Sequence, residues 1–249
     1  MRKYSQYRLI YHIAYRIFVL ISNIIAMAET KIAAAISMDP SGQYAAELEI
    51  PVFVKQAIEK WAKLNILDAD LEKDGGVAPK PGGIQAPANL TTLLCLGDQP
   101  PSEAVRFALT RYAAPKLSLG QVDVFEGKTG VASDGSGVRS YCTLHVQVLG
   151  VPPRSDGCND LHGLQNTIGV LFGSHDKPIK WHFDKWNPHL TIAFIKPEAA
   201  IKFKGAIIPL HRSDEEEMRD APFTAGKLIF KMVRRRDVAP IVVPLHQCN

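Results

Sequence analysis

Residues Asn187-Pro188-His189-Leu190-Thr191-Ile192-Ala193-Phe194 read as a short apolar strand. Side chains two apart in a strand share a face. His189 and Thr191 therefore point one way, and Leu190, Ile192 and Phe194 are expected to point into a core. An imidazole that titrates near neutrality, beside a hydroxyl that can hold an anionic oxygen, is half of a site for phosphoryl chemistry.

An earlier stretch has a related pattern: Asn89-Leu90-Thr91-Thr92-Leu93-Leu94-Cys95-Leu96-Gly97. Either Asn89 and Thr91 or Leu90 and Thr92 could face outward. Periodicity selects the first register, which puts Leu90, Thr92, Leu94 and Leu96 on the core side, whereas the second sends the leucine row into a groove. Asn89 then stands where the later strand has His189, 100 residues further on. That separation allows the two strands to come from different lobes and to face one another across a cleft.

The run Asn187-Pro188-His189-Leu190-Thr191-Ile192-Ala193-Phe194-Ile195-Lys196-Pro197 resembles the second motif of the 2H phosphoesterases. Within them it is similar to the 2′-5′ RNA ligase-like proteins and to the phage anti-CBASS-like cyclic-oligonucleotide phosphodiesterases. The resemblance extends from about Pro51 to Leu245. It is supported in order by Val124-Phe125-Glu126-Gly127, by Asp160-Leu161-His162-Gly163-Leu164 opening a helix, and by a closing strand Phe223 to Phe230. It implies an α+β, bilobal, pseudo-symmetric fold, with two antiparallel sheets flanking a central groove and helices outside. It also implies two His-x-Thr/Ser motifs, one per lobe, whose histidines act as general base and general acid without a metal. Thr91 and Thr191 would orient the phosphate, and Lys196 would add charge stabilisation.

The first motif departs from that pattern. Asparagine hydrogen-bonds but does not exchange a proton near pH 7, and losing one acid/base partner typically costs about 10²–10⁴ in rate. Three readings stay open: a weakened phosphodiesterase acting on cyclic or 2′-5′-linked nucleotides or on RNA-end cyclic phosphates, an enzyme in which another group substitutes, and a silent nucleotide- or RNA-binding domain. His145 is the candidate substitute. In the strand Tyr141 to Leu149 it shares a face with Thr143 and Gln147, opposite Cys142, Leu144, Val146 and Val148, and that polar face is either solvent-facing or a groove wall. Trp181 and Trp186 flank the approach to His189, as base-stacking or as packing residues. His162 falls on the polar side of its helix, and His182 lies in a loop.

The 249 residues, 46% of them hydrophobic, can bury one sizeable core. A formal charge of +4 with pI near 8.8 favours anionic ligands without the clustered basicity of a duplex-DNA-binding surface. Lys180, Lys185, Lys196, Lys202 and Lys204 gather around the second motif, Arg234-Arg235-Arg236 reads as a hairpin tip or a phosphate clamp, and Asp214 to Glu217 reads as a solvated loop. Cys95, Cys142, Cys158 and Cys248 lack metal-ligand spacing, with Cys95 and Cys142 expected as buried thiols in apolar strands. No phosphate-binding glycine loop, dinucleotide motif or serine elbow occurs. Neither cofactor nor metal is expected.

Residues 1–28 are basic and then apolar, ending in Ala26-Met27-Ala28. Two readings stand: a cleaved secretory signal or membrane-associated segment, and an upstream extension to a cytosolic start at Met27. The phosphoesterase-like domain is expected over residues 45–247. Within it the pattern predicts a helix over Val52 to Leu64 with Ala57, Trp61 and Leu64 on one stripe. A second helix opens at Pro101-Ser102-Glu103, capped by Ser102 and burying Val105, Leu109 and Tyr112. A strand bent at Gly120 follows, then a loop over Glu126 to Gly137, a strand over Val138 to Leu149, and a helix over Leu161 to Leu171. Lys227 to Val233 and Ile241 to Leu245 close the chain as a hairpin.

Overall fold

The described residues of the computed structural model are 42–72, 83–85, 88–131, 138–151, 161–173, 176, 178–179, 186–210 and 222–247. Residues 1–28, Trp181, His182, Lys180, Lys185, the acidic run at 214–217, Cys158 and Cys248 lie outside them. The elements are β1 (Tyr44–Leu48), α1 (Val52–Asn65), β2 (Leu90–Leu93), α2 (Glu103–Thr110), β3 (Lys116–Val131) and β4 (Val138–Gly150), then α3 (Leu161–Phe172), β5 (His189–Ile195), β6 (Phe223–Thr224), β7 (Lys227–Met232) and β8 (Ile241–Pro244). Short 3₁₀ turns cover Asp68–Asp70 and Pro197–Lys202.

The strands form two antiparallel four-stranded sheets, ordered β2-β1-β7-β8 and β5-β4-β3-β6. The architecture is therefore α+β, and the two sheets are built alike. Glu47 of β1 lies opposite Thr91 of β2, and Leu48 opposite Leu90. In the other sheet His145 of β4 lies opposite Thr191 of β5, and Val146 opposite Leu190. Each pair of strands slips register next, between Ala46 and Glu47 in one and between Leu144 and His145 in the other. The helices exchange partners, since α1 packs against β5 while α3 packs against β2 and β4. One continuous core joins the inner faces, with Leu48, Leu90, Leu228 and Phe230 from one sheet and Leu144, Val146 and Leu190 from the other all under 3% exposed.

Sequence and structure agree on α1, on α2 with Ser102 Oγ accepting from Val105 N at 3.3 Å, on the register break between Leu119 and Val122, and on the β7–β8 hairpin. The differences have physical causes. β1 is not signalled by its composition. Ala45, Ala46 and Glu47 are weak strand formers held extended by hydrogen bonding to β2 and β7 on either side. The expected strand Phe223 to Phe230 is two strands in different sheets, because the chain crosses from one sheet to the other at Ala225-Gly226.

The loop expected from Glu126 is strand as far as Val131, with a second register shift at Gly127, whose φ is +70°. Leu64 is 72% exposed rather than buried, and Val54, Ile58 and Ala62 fill the inner face of α1 with Trp61. Cys95 lies beyond β2 at φ +58° and is half-buried, whereas Cys142 is a buried thiol.

The register shifts also overturn two face assignments. One extra residue reverses strand parity. Beyond Ile192 it is Ala193 that faces Leu144, so Phe194 pairs with Thr143 on the polar face instead of entering the core. Beyond Thr92 it is Leu93 that is buried while Leu94 is only half-buried.

Candidate active site

The groove-side faces of β2 and β5 open onto one cavity of about 280 Å³. Asn89 and Thr91 line it from one sheet; His189, Thr191 and the reversed Phe194 line it from the other, with Trp186 and Asn187 at its edge. The two strand stretches identified in the sequence are thus brought together. Glu47 of β1 and Lys231 of β7 also line it.

The His189 side is arranged to leave a basic nitrogen available. Nδ1 lies 2.7 Å from the Asn187 carbonyl oxygen. Only an N–H can satisfy that contact, so the proton sits on Nδ1 and the Nε2 lone pair is left for chemistry. Burial lowers the imidazole's pKa below the ordinary histidine value, against the opposing effect of the Asn187 contact. The ring is neutral at pH 7.

His145 lies behind this surface rather than in the cavity wall. Phe125 stacks on it with centroids 3.9 Å apart and rings 13° from parallel, and His189 meets it edge-on at 5.1 Å. Its Nδ1 lies 3.3 Å from the Thr143 carbonyl oxygen, and its Nε2 is buried without a hydrogen-bond partner. Burial lowers its pKa, with the neighbouring His189 acting in the same direction. Thr143 supplies this carbonyl and lies opposite Phe194; it does not line the cavity.

The Asn89 side presents donors. Lys55 of α1 donates from Nζ to Asn89 Oδ1 at 2.7 Å. This fixes the amide's orientation and leaves its Nδ2 hydrogens available to a ligand. Glu47, opposite Thr91, is 6% exposed and forms an ion pair with Lys231. Sequence reasoning missed both residues. The available signal was Tyr44-Ala45-Ala46-Glu47-Leu48 read as a strand, which sets Glu47 apart from the core positions Ala46 and Leu48.

Lys196 is adjacent to β5 but turned elsewhere: its Nζ donates to the Ala69 carbonyl at 2.9 Å. Lys202 pairs with Asp70 and Lys204 with Glu126. Trp186 is 7% exposed and meets His162 edge-on at 5.3 Å. Arg234, Arg235 and Arg236 form the β7–β8 tip, where Arg235 pairs with Asp237 at 2.7 Å. Among the described residues no group of three or more His, Cys, Asp or Glu is placed to hold a metal, and no helix is long and apolar enough to cross a membrane.

No family model matches the sequence, and no curated protein matches it significantly. Solved structures similar to the chain include E. coli LigT complexed with NADP+, at 13% identity and TM-score 0.38, covering 82% of this chain and 94% of that one. E. coli LigT complexed with 3′-AMP shows 12% identity and TM-score 0.39 with the same coverage. The complex with ATP shows 14% identity and TM-score 0.37, again over 82% and 94%.

Proposed function

We propose that the chain is a metal-independent phosphodiesterase of the 2H phosphoesterase type, acting on cyclic or 2′-5′-linked nucleotides or on RNA-end cyclic phosphates. One observation carries the reading: Asn89 and Thr91 from one sheet and His189 and Thr191 from the other line a single cavity. In this reading His189 Nε2 takes the proton of the attacking hydroxyl or water. The Thr91 and Thr191 hydroxyls and the Asn89 amide donate to the phosphate oxygens as charge builds on them. Asn89 does not move a proton, so turnover is slower than a two-histidine site would give. Trp186 lines the cavity, and in this reading a base packs against it.

The test is cleavage of adenosine 2′,3′-cyclic phosphate and of 2′-5′-linked diadenylate in the presence of a chelator, followed by phosphorus NMR. Turnover that His189→Ala reduces by about 10²–10⁴ supports the reading. A silent binding domain is the second reading, favoured by the amide at position 89. It predicts a raised melting temperature with these nucleotides and no turnover until Asn89→His is introduced.

A further inference from the structure

The correspondence between the two sheets shows where they differ. Glu47 and His145 occupy equivalent positions, each opposite the threonine of its motif strand. On the next strand of each sheet, Lys231 lies opposite Ala45 and Phe125 opposite Thr143, so Lys231 and Phe125 are equivalent as well. In the His189 half, the aromatic ring of Phe125 covers His145 and the cavity receives its ionisable group from β5. In the Asn89 half, β2 carries an amide, no aromatic ring lies at the Phe125 position, and a carboxylate and an ammonium line the cavity instead.

We propose that Lys231 is the catalytic residue serving the leaving oxygen, with Glu47 as its positioning residue. The assignment rests on the functional reading above. Among the described residues in the cavity wall, Lys231 is the only lysine or arginine, while Lys196, Lys202 and Lys204 donate to Ala69, Asp70 and Glu126. Glu47 has a side chain only 9% exposed and anchors the pair in the sheet, and the Lys231 side chain that it holds is 48% exposed.

The protons balance. His189 Nε2 accepts the proton of the attacking hydroxyl as its oxygen bonds to phosphorus. The bond from phosphorus to the leaving oxygen breaks with its electron pair, and Lys231 Nζ gives that oxygen a proton. Imidazolium and amine then exchange a proton through solvent and restore the resting site.

Two esters of one nucleotide test this. In adenylyl-(2′→5′)-adenosine the leaving group is an alkoxide that needs a proton. In adenosine 2′-(4-nitrophenyl) phosphate it is a phenolate that departs without one. Lys231→Met should lower kcat/KM for the first by about 10²–10⁴ and for the second at least about tenfold less. Glu47→Gln should show the same dependence on leaving group, and the double variant should be no slower than Lys231→Met alone. Lys227→Met, on the same strand but outside the cavity, should slow neither ester.

Equal losses on both esters, no loss on either, or multiplying losses in the double variant overturn the assignment. If the unmodified protein cleaves neither ester, the Lys231 assignment falls, and the functional reading falls with it if adenosine 2′,3′-cyclic phosphate is also left intact. If it cleaves both through His189 and Lys231→Met slows both equally, only Lys231 is misassigned.

Discussion

The imidazoles of His145 and His189 meet edge to face, with centroids 5.1 Å apart, and burial depresses the pKa of each. Two imidazolium ions at that separation, one buried and one half-buried, would repel in a poorly screening environment. The pair is therefore neutral at pH 7, and His189 enters the reaction as a base.

This fixes the sign of the pH dependence. A base is lost when it is protonated, so kcat/KM should fall as the pH drops through the His189 pKa. Because the His189 pKa lies below 6.5, the midpoint of that fall should also lie below pH 6.5. A kcat/KM profile measured from pH 4.5 to 8 checks it. A midpoint above 6.5 would mean that His189 is stabilised as imidazolium, contrary to its burial.

His145 also makes a stability prediction. With the folded pKa below the unfolded value of 6.5, the unfolded chain binds more protons in that window, so stability rises with pH. The contribution is intact above about pH 6.5, and stability falls as pH drops from there to the folded pKa. His145→Leu removes both the titration and the unpartnered Nε2. An orphaned buried acceptor costs about 1–3 kcal/mol, so the variant should unfold in urea at no lower concentration than the parent at pH 8. It should also lose part of the parent's decline at pH 5.

Restoring a histidine at position 89 meets an obstacle outside the motif. Lys55 donates to the present amide oxygen at 2.7 Å. An imidazolium placed there would face that ammonium, and a like charge disfavours the protonated form. Asn89→His alone should therefore raise turnover of adenosine 2′,3′-cyclic phosphate only slightly. Asn89→His with Lys55→Met should exceed it by about tenfold or more. Steady-state kinetics of the two variants side by side decides; equal rates would show that Lys55 does not govern the site.

The parts of this architecture that were legible in the sequence are those where periodicity runs unbroken. Leu190 and Ile192 alternate with His189 and Thr191, and that alternation put the site residues of β5 on one face. It stops being readable at the bulges. Nothing in the residue types of Thr92-Leu93 or Ile192-Ala193 announces a parity reversal, so the sequence pattern alone puts Leu94 and Phe194 on the core side. β1 failed for a different reason: its alanines and glutamate are extended because β2 and β7 bond to it on both sides. Glu47 was missed with its strand, and the same gap concealed that Lys231 faces a cavity.

Gly169 carries a prediction about packing. It lies on the buried face of α3, where an added Cβ would collide with the Ile179 carbonyl oxygen. The Ile179 N–H donates to the Gly169 carbonyl at 2.9 Å, so the two backbones are held together at this point. Alanine gains about 0.5–1 kcal/mol over glycine within a helix. Overpacking against a rigid neighbour costs about 1–3 kcal/mol. The second effect is the larger because the colliding atom is backbone, which cannot rotate away. Gly169→Ala should therefore lower the urea midpoint and speed amide exchange at Ile179. Val170→Ala, at a position 40% exposed, should change the midpoint much less. A stabilised Gly169→Ala protein would show that the Ile179 segment yields without loss and that helix propensity governs this contact.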